Sequence, residues 1–237
     1  TTVAGTGSEG FSGDGGLATN AKIGGPQSIA IDAVGNIYIA TDQESGPSHH
    51  RIRKVTVATG IITTIAGGES GTSGDGGPAL DAKFKRIHGL AFDAVGNLYV
   101  ADSDARIRKI DTNGIITTVA GTGSEGFSGD GGLAINAKIG GPQSIAIDAA
   151  GNIYFGTDQE LSVPPYGNTH NRIRKVDVAT GIITTIAGGE SGYAGDGGPA
   201  LDAKFKRIHG LAFDAAGNLY VADDNNYRVR KIDTNGI

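Results

Sequence analysis

The chain repeats itself, and that repetition constrains its fold more than any local pattern. Thr1–Gln43 recurs at Thr117–Gln159 with four changes: Thr19 to Ile135, Val34 to Ala150, Ile39 to Phe155 and Ala40 to Gly156. Residues 1–115 match 117–237 apart from six extra residues in two loops. Each half divides again. A GDGG tetrad places aspartates at Asp14, Asp75, Asp130 and Asp196. A GN(I/L)Y tetrad begins at Gly35, Gly96, Gly151 and Gly217, and an RIRK-like tetrad at Arg51, Arg106, Arg172 and Arg228. The order is a-b-a′-b′, four units of two alternating types.

Within a unit the short runs read as strands. Ile29–Asp32, Ile37–Thr41, Arg51–Val57 and Ile61–Ala66 are rich in Ile, Val, Tyr and Thr, which suit a pleated surface. Asp32-Ala33-Val34-Gly35-Asn36 joins the first two as a tight turn, and Ala58-Thr59-Gly60 joins the last two. Four short antiparallel strands, repeated, are the signature of a β-propeller blade. Gly67 to Lys85 connects one unit to the next, and Pro78–Phe84 within it suits a helical turn. The expectation is an all-β chain: a single propeller domain over 1–237 with four four-stranded antiparallel blades, at about 1–60, 61–114, 115–181 and 182–237. The last unit stops after its third strand, and Thr1–Gly5 is expected to supply the fourth and close the ring.

The stretches GNLYVAD, RIRKID, GIITTVAGTG and GFSGDGG together resemble the long-unit bacterial form of NHL-repeat propellers. The resemblance runs over essentially every residue and recurs four times. It implies a propeller that binds other molecules, since only some such propellers are enzymes. Propellers of that family usually carry about six blades, and natural blades are rarely 39 of 43 identical. The chain therefore reads as cut from a longer array, as designed or amplified from a two-blade unit, or as one of two copies sharing a larger ring. The absence of methionine, with a strand-like opening at Thr1–Gly5, likewise points to an excised, processed or engineered piece.

Composition removes several chemistries. There is no cysteine, hence no disulfide framework, thiolate metal site, iron–sulfur cluster or cysteine nucleophile. No run approaches the roughly 18–20 apolar residues of a membrane span, so no membrane partner is expected. Net charge is −5, which argues against nucleic acid as the main partner. The 41 glycines fall at the same turns in successive units, so they mark architecture and not flexibility.

The repeated polar residues read first as scaffolding, because catalysis needs one asymmetric group and these come in fours. The GDGG aspartates are expected in turns or caps, with a cation site as the alternative. Asp32, Asp93, Asp148 and Asp214 are expected in hairpin turns. Asp42, Asp102, Asp158 and Asp223 end the second strand and are expected to accept hydrogen bonds from the loop or to pair with Arg51, Arg106, Arg172 and Arg228. Simple alternation puts Ile52 opposite Arg51 and Arg53, giving the RIRK strand a solvated charged face without stacking aromatics.

The candidate site lies where the unit types differ, just before the innermost strand. Type a has Gly24-Gly25-Pro26-Gln27 there and type b has Lys85-Arg86-Ile87-His88. A channel mouth is thus expected to carry Gln27, Lys85, Arg86, His88, Gln143, Lys206, Arg207 and His209. Such a group suits an anion or small polar ligand; a transition metal between His88 and His209 is the alternative, and metal occupancy is left open. The divergent loops add His49, His50, Tyr166 and His170 as candidate contacts. No nucleophile elbow, zincin motif, P-loop or dinucleotide fingerprint is present. The expectation is a non-enzymatic binding scaffold without cofactor, taking a protein or a small polar or anionic ligand, with a homodimer or larger ring as a possible assembly. The alternatives are a metal- or anion-dependent lyase or hydrolase centred on His88 and His209, and RNA binding through the Lys/Arg rim.

Overall fold

In the computed structural model the described residues are 1–42, 49–158 and 170–237. The architecture is all-β, four blades of a β-propeller, and helix among the described residues is limited to single 3-10 turns. By internal contacts the chain falls into two compact units, Thr1–Ser103 with Arg108–Thr117, and Asp104–Ile107 with Thr118–Ile237.

The first sheet is ordered β1-β2-β3-β4: β1 (Gly25–Ile31), β2 (Ile37–Asp42), β3 (His49–Thr56) and β4 (Ile61–Glu69). The second is β5-β6-β7-β8: β5 (Ile87–Phe92), β6 (Leu98–Asp102), β7 (Arg106–Ile110) and β8 (Ile116–Ala120). The third repeats the first with β9 (Gly141–Ile147), β10 (Ile153–Asp158), β11 (His170–Val176) and β12 (Ile183–Glu190). The fourth has β13 (Ile208–Phe213), β14 (Leu219–Asp223) and β15 (Arg228–Ile232). Here the structure differs from expectation: this sheet has three strands, and Thr1–Gly5 forms none. Gly5 instead takes φ +96° and its N–H donates to the Ala18 carbonyl at 2.9 Å, tying the segment to the loop of the first blade.

The hairpin turns follow the residues that signalled them. Asp32 accepts from Val34 N (3.1 Å), Asn36 N (2.8 Å), Asn36 Nδ2 (2.8 Å) and Tyr38 Oη (3.2 Å). Gly35 supplies the positive φ of +90° that the turn needs. Asp93 and Asp148 repeat this full set, and Asp214 repeats the bonds from backbone and asparagine. Slight burial pushes the Asp32 carboxyl up, but the Asn36, Val34 and Tyr38 donors outweigh it and hold it below the usual carboxylate value. The expected helical turns appear as one 3-10 turn each, such as Ala79–Asp81 after Pro78.

Blades pack within each unit through alternate residues. In the first unit Ala40, Ile52 and Ala66 of one blade meet Ile87, Leu98, Val100 and Ile116 of the next, with the Phe84 ring fully buried among them. Tyr38 and Phe92 meet edge to face at 4.7 Å. The second unit repeats this with Ile173, Ala187, Phe205, Ile208 and Val221, and Tyr154 meets Phe213 at 4.9 Å.

Candidate functional site

The repeated charges resolve first, because they determine which groups are left for a ligand. β3 does not alternate simply. A bulge against β4 lies between Ile52 and Arg53, so both point inward and are fully buried. The bulge between Ile173 and Arg174 does the same in β11. This corrects the expectation of a solvated face: the second arginine of the first three tetrads is fully buried, and Arg230 of the fourth is partly buried. Its partner is the GDGG aspartate of the same blade. Arg53 Nη2 lies 2.5 Å from Asp14 Oδ1 and also donates to Ser12 O (3.0 Å), while Nη1 donates to Lys22 O (2.9 Å). Arg108 pairs with Asp75 at 2.6 Å, Arg174 with Asp130 at 2.7 Å and Arg230 with Asp196 at 2.7 Å. Each pin ties the long glycine-rich connection onto the third strand of its blade.

Aromatic stacking, absent from the expectation, is present too. Arg51 and Arg53 lie 4.0 and 4.9 Å from the Phe11 ring, Arg172 and Arg174 lie 3.8 and 4.8 Å from Phe127, and Arg228 lies 3.8 Å from Tyr193. The second blade has Thr72 at that place, and its Arg106 pairs with Asp104. Burial raises the Asp14 carboxyl, but hydrogen bonds from Thr64 and Arg53 and the Arg53 charge outweigh it and hold it low. The GDGG aspartates are therefore structural anion partners of buried guanidinium groups.

The strand-ending aspartates divide by blade type. Asp102 accepts from Lys85 N (3.0 Å) and Arg86 N (3.2 Å), and Asp223 accepts from Lys206 N (2.9 Å), so both hold the loop as expected. Their nearest arginines are Arg108 (3.9 Å) and Arg230 (3.7 Å), not the first arginine of the tetrad. Asp42 is different. Its Oδ2 lies 2.6 Å from Arg86 Nε, and its Oδ1 lies 3.1 Å from His50 Nδ1, off hydrogen-bond geometry. Asp42 and His50 are buried, whereas the Arg86 side chain is 46% exposed. Burial lowers the His50 pKa; the Asp42 charge opposes that, and Arg86 and His49 push it down further. His50 is thus neutral at neutral pH.

Arg86, Asp42 and Gln27 line an open cleft of about 910 Å³ in the first unit. The runs Gly5–Glu9 and Ile23–Pro26 line it as well. Gly24-Gly25-Pro26, the signature of blade type a, leads the chain along the cleft without bulky side chains. Two carboxylates line the cleft, Asp42, paired with the Arg86 guanidinium, and Glu9, together with two side chains that carry N–H donors, Arg86 and Gln27. The cleft suits an anionic or polar ligand held by charge-assisted hydrogen bonds.

Of the residues singled out by sequence, Gln27 and Arg86 meet at this cleft. Lys85 is exposed, and His88 is half-buried on β5. Gln143, Lys206, Arg207 and His209 belong to the second unit, where Arg207 lies 3.8 Å from Asp224 and His209 is exposed. His49 and His170 stand opposite Glu69 and Glu190 on their neighbouring strands. Tyr166 lies outside the described residues, as do the divergent loop segments 43–48 and 159–169. Among the described residues no group of three or more His, Asp or Glu side chains is placed to hold a metal ion. Sequence reasoning missed the Asp42–Arg86 contact, which joins residues 44 positions apart in two blades.

Comparison with known proteins bears on the repeat and the fold. A family model of the teneurin NHL domain matches residues 68–127, and one of the NHL repeat matches 205–232. Human Teneurin-4 is 31% identical over 250 residues, covering 94% of this chain and 8% of that protein. Drosophila melanogaster Teneurin-m is 27% identical, over 95% of this chain and 8% of its own length. The chain thus spans under a tenth of the teneurins it matches. Among solved structures, a Bacteroides thetaiotaomicron protein of unknown function superposes with a TM-score of 0.54 at 16% identity, over 98% of this chain and 74% of that one. A streptogramin B lyase gives 0.53 at 16% identity, over 91% and 53%. At these identities the superpositions speak for the fold alone. The GDGG, GN(I/L)Y and RIRK tetrads recur in all four blades, and NHL models match two stretches of them: the chain is an NHL-repeat β-propeller.

Proposed function

We propose that the chain is a non-enzymatic binding module whose ligand face is the first-blade cleft, and that its ligand is a small anion or an anionic group on a larger partner. One observation carries the reading. Arg86 Nε lies 2.6 Å from Asp42 Oδ2, its side chain is 46% exposed, and it lines the cleft together with Gln27. An arginine held by a carboxylate and exposed to a cleft is preorganised for a carboxylate or phosphate. The repeated carboxylates support the same reading, because each GDGG aspartate is already paired with an arginine of its own blade.

Titration with inorganic phosphate, followed by calorimetry, tests it. Saturable binding that weakens about tenfold or more in Arg86→Ala is expected, the loss of one charge-assisted contact. Lys206→Ala, an exposed cation of the other unit, should bind as the parent does. No saturable binding, or equal binding by Arg86→Ala, overturns the reading.

A further inference from the structure

Asp42 and Arg86, which line the cleft, meet a third titratable side chain, His50. Asp42 Oδ1 lies 3.1 Å from His50 Nδ1 and Oδ2 lies 2.6 Å from Arg86 Nε, so one carboxylate stands between two bases. The Asp42 and His50 side chains are each 5% exposed. A carboxylate buried to that degree needs a compensating charge, and while His50 is neutral that charge is the Arg86 guanidinium. His50 Nδ1 is itself buried and makes no hydrogen bond among the described residues, although an acceptor oxygen lies within reach. A buried polar atom left in that state is costly.

The repeat shows that the fold does not require a histidine here. In the second unit Asn171 takes the place of His50; it is fully buried, and its Nδ2 donates to the Phe205 carbonyl at 3.1 Å. Both residues stand opposite a glycine on the neighbouring strand, Gly68 and Gly189. An amide therefore meets the structural demand of the position, and the imidazole adds a titratable nitrogen to it. The charged groups around His50 are few. β2 brings Asp42, and β3 itself carries His49 and Arg51 on either side. β4 brings Glu69, which stands opposite His49 and pairs with Lys83 at 2.7 Å. The connection into β5 brings Arg86, whose backbone N–H donates to Asp102 at 3.2 Å. Burial opposes a proton on His50 most; Asp42 favours one, and Arg86 and His49 oppose it.

We infer, resting on the reading that Arg86 binds an anion, that this binding is coupled to the uptake of a proton by His50. In the empty site the Asp42 and Arg86 charges cancel and His50 is neutral. An anion on Arg86 adds a negative charge beside a guanidinium already committed to Asp42. A proton from solvent on His50 Nδ1 restores the balance. The ring becomes an imidazolium, Nδ1–H donates to Asp42 Oδ1, and the Arg86 charge is left to the anion. The proton returns to solvent when the anion leaves, and no bond other than that N–H is made or broken. Linkage is reciprocal, so anion affinity rises as the pH falls through the range in which His50 titrates, and a higher pH favours release. Asn171 cannot take this proton, so the coupling belongs to the first unit.

Calorimetry with sulfate, whose charge is constant over the histidine range, tests the coupling when run in two buffers of different ionisation enthalpy. The parent is expected to take up close to about one proton per sulfate near the middle of that range. It should bind sulfate about fivefold or more tightly at about pH 5.5 than at about pH 7.5. His50→Asn, which copies the third blade, should bind sulfate without proton uptake and with a flat pH profile, whereas His49→Asn keeps the coupling. In the parent, the NMR titration midpoint of the His50 ring should rise when sulfate saturates the site. Proton uptake that survives His50→Asn, or a His50 ring that titrates alike with and without sulfate, overturns the coupling and leaves the anion reading standing. No saturable sulfate binding by the parent at either pH overturns both.

Discussion

Replacing Asp14 with alanine tests the pin that fastens each blade. Arg53 is fully buried and donates to Asp14, Ser12 O and Lys22 O, and Asp14 also accepts the Thr64 N–H at 3.1 Å. Removing one partner of a fully buried ion pair costs about 3–5 kcal/mol. The Asp14 side chain is 36% exposed, so water enters in its place, and the two carbonyls still hold the guanidinium. The expected loss is therefore about 2 kcal/mol, close to that of a single charge-assisted hydrogen bond. With a urea m-value of about 2 kcal/mol/M, the unfolding midpoint followed by circular dichroism should fall by about 1 M. Asp81→Ala, which removes an exposed carboxylate from the 3-10 turn, should shift it by less than about a quarter of that. Calcium should leave the parent midpoint unchanged, since Asp14 neutralises an arginine and is not a cation ligand. A loss no larger than that of Asp81→Ala, or a calcium-dependent rise, would refute the reasoning.

Other perturbations separate backbone strain, packing and titration. Gly67 has φ +82°, and a Cβ there would collide with the His50 carbonyl and press on the Phe84 ring, whereas Gly76 has the same φ and open space. Gly67→Ala should cost about 3 kcal/mol or more in urea unfolding and Gly76→Ala about 1 kcal/mol; equal costs would remove the steric argument. Gly156 has ordinary backbone, but a Cβ would run into Ile208 of the next blade, although Ala40 fills the equivalent place in the first unit. Gly156→Ala should therefore lower the melting temperature, and a neutral result would show that the blades adjust freely. His50 has a folded pKa below its ordinary 6.5, so the unfolded chain binds the extra proton and stability falls as pH drops through about 6.5. His50→Asn, which copies the third blade's Asn171, should flatten stability between pH 7 and 5 by roughly the part due to this one site; an unchanged slope assigns the dependence elsewhere.

The blades were legible because their signals are local and repeated. Asp32 and Gly35 dictate a turn within five residues, and the same letters at Asp93, Asp148 and Asp214 give the same bonds. The RIRK strand was misread because a bulge depends on the register with β4, which two-residue alternation does not carry. A signal existed: the GDGG aspartate and the second tetrad arginine occur together in every unit, 39 residues apart in the first. Phe11, Phe127 and Tyr193, at one position of three blades, were the aromatics those arginines stack on. Of the candidate site, Gln27 and Arg86 were legible as the residues that distinguish the blade types. Asp42 was recognised as a loop anchor, but its choice of Arg86 depends on how two blades pack.

One arginine–aspartate pin, repeated in each blade and fully buried at its arginine in three of the four, carries the architecture. Side-chain guanidinium hydrogen exchange by NMR tests it most directly, because exchange reports burial and bonding at each arginine separately. Strong protection is expected at Arg53, Arg108 and Arg174, all fully buried, less at Arg230, which is 9% exposed, and fast exchange at Arg86. Asp14→Ala should release Arg53 and leave Arg174 protected. Uniformly fast exchange, or protection of Arg53 untouched by loss of Asp14, would contradict it.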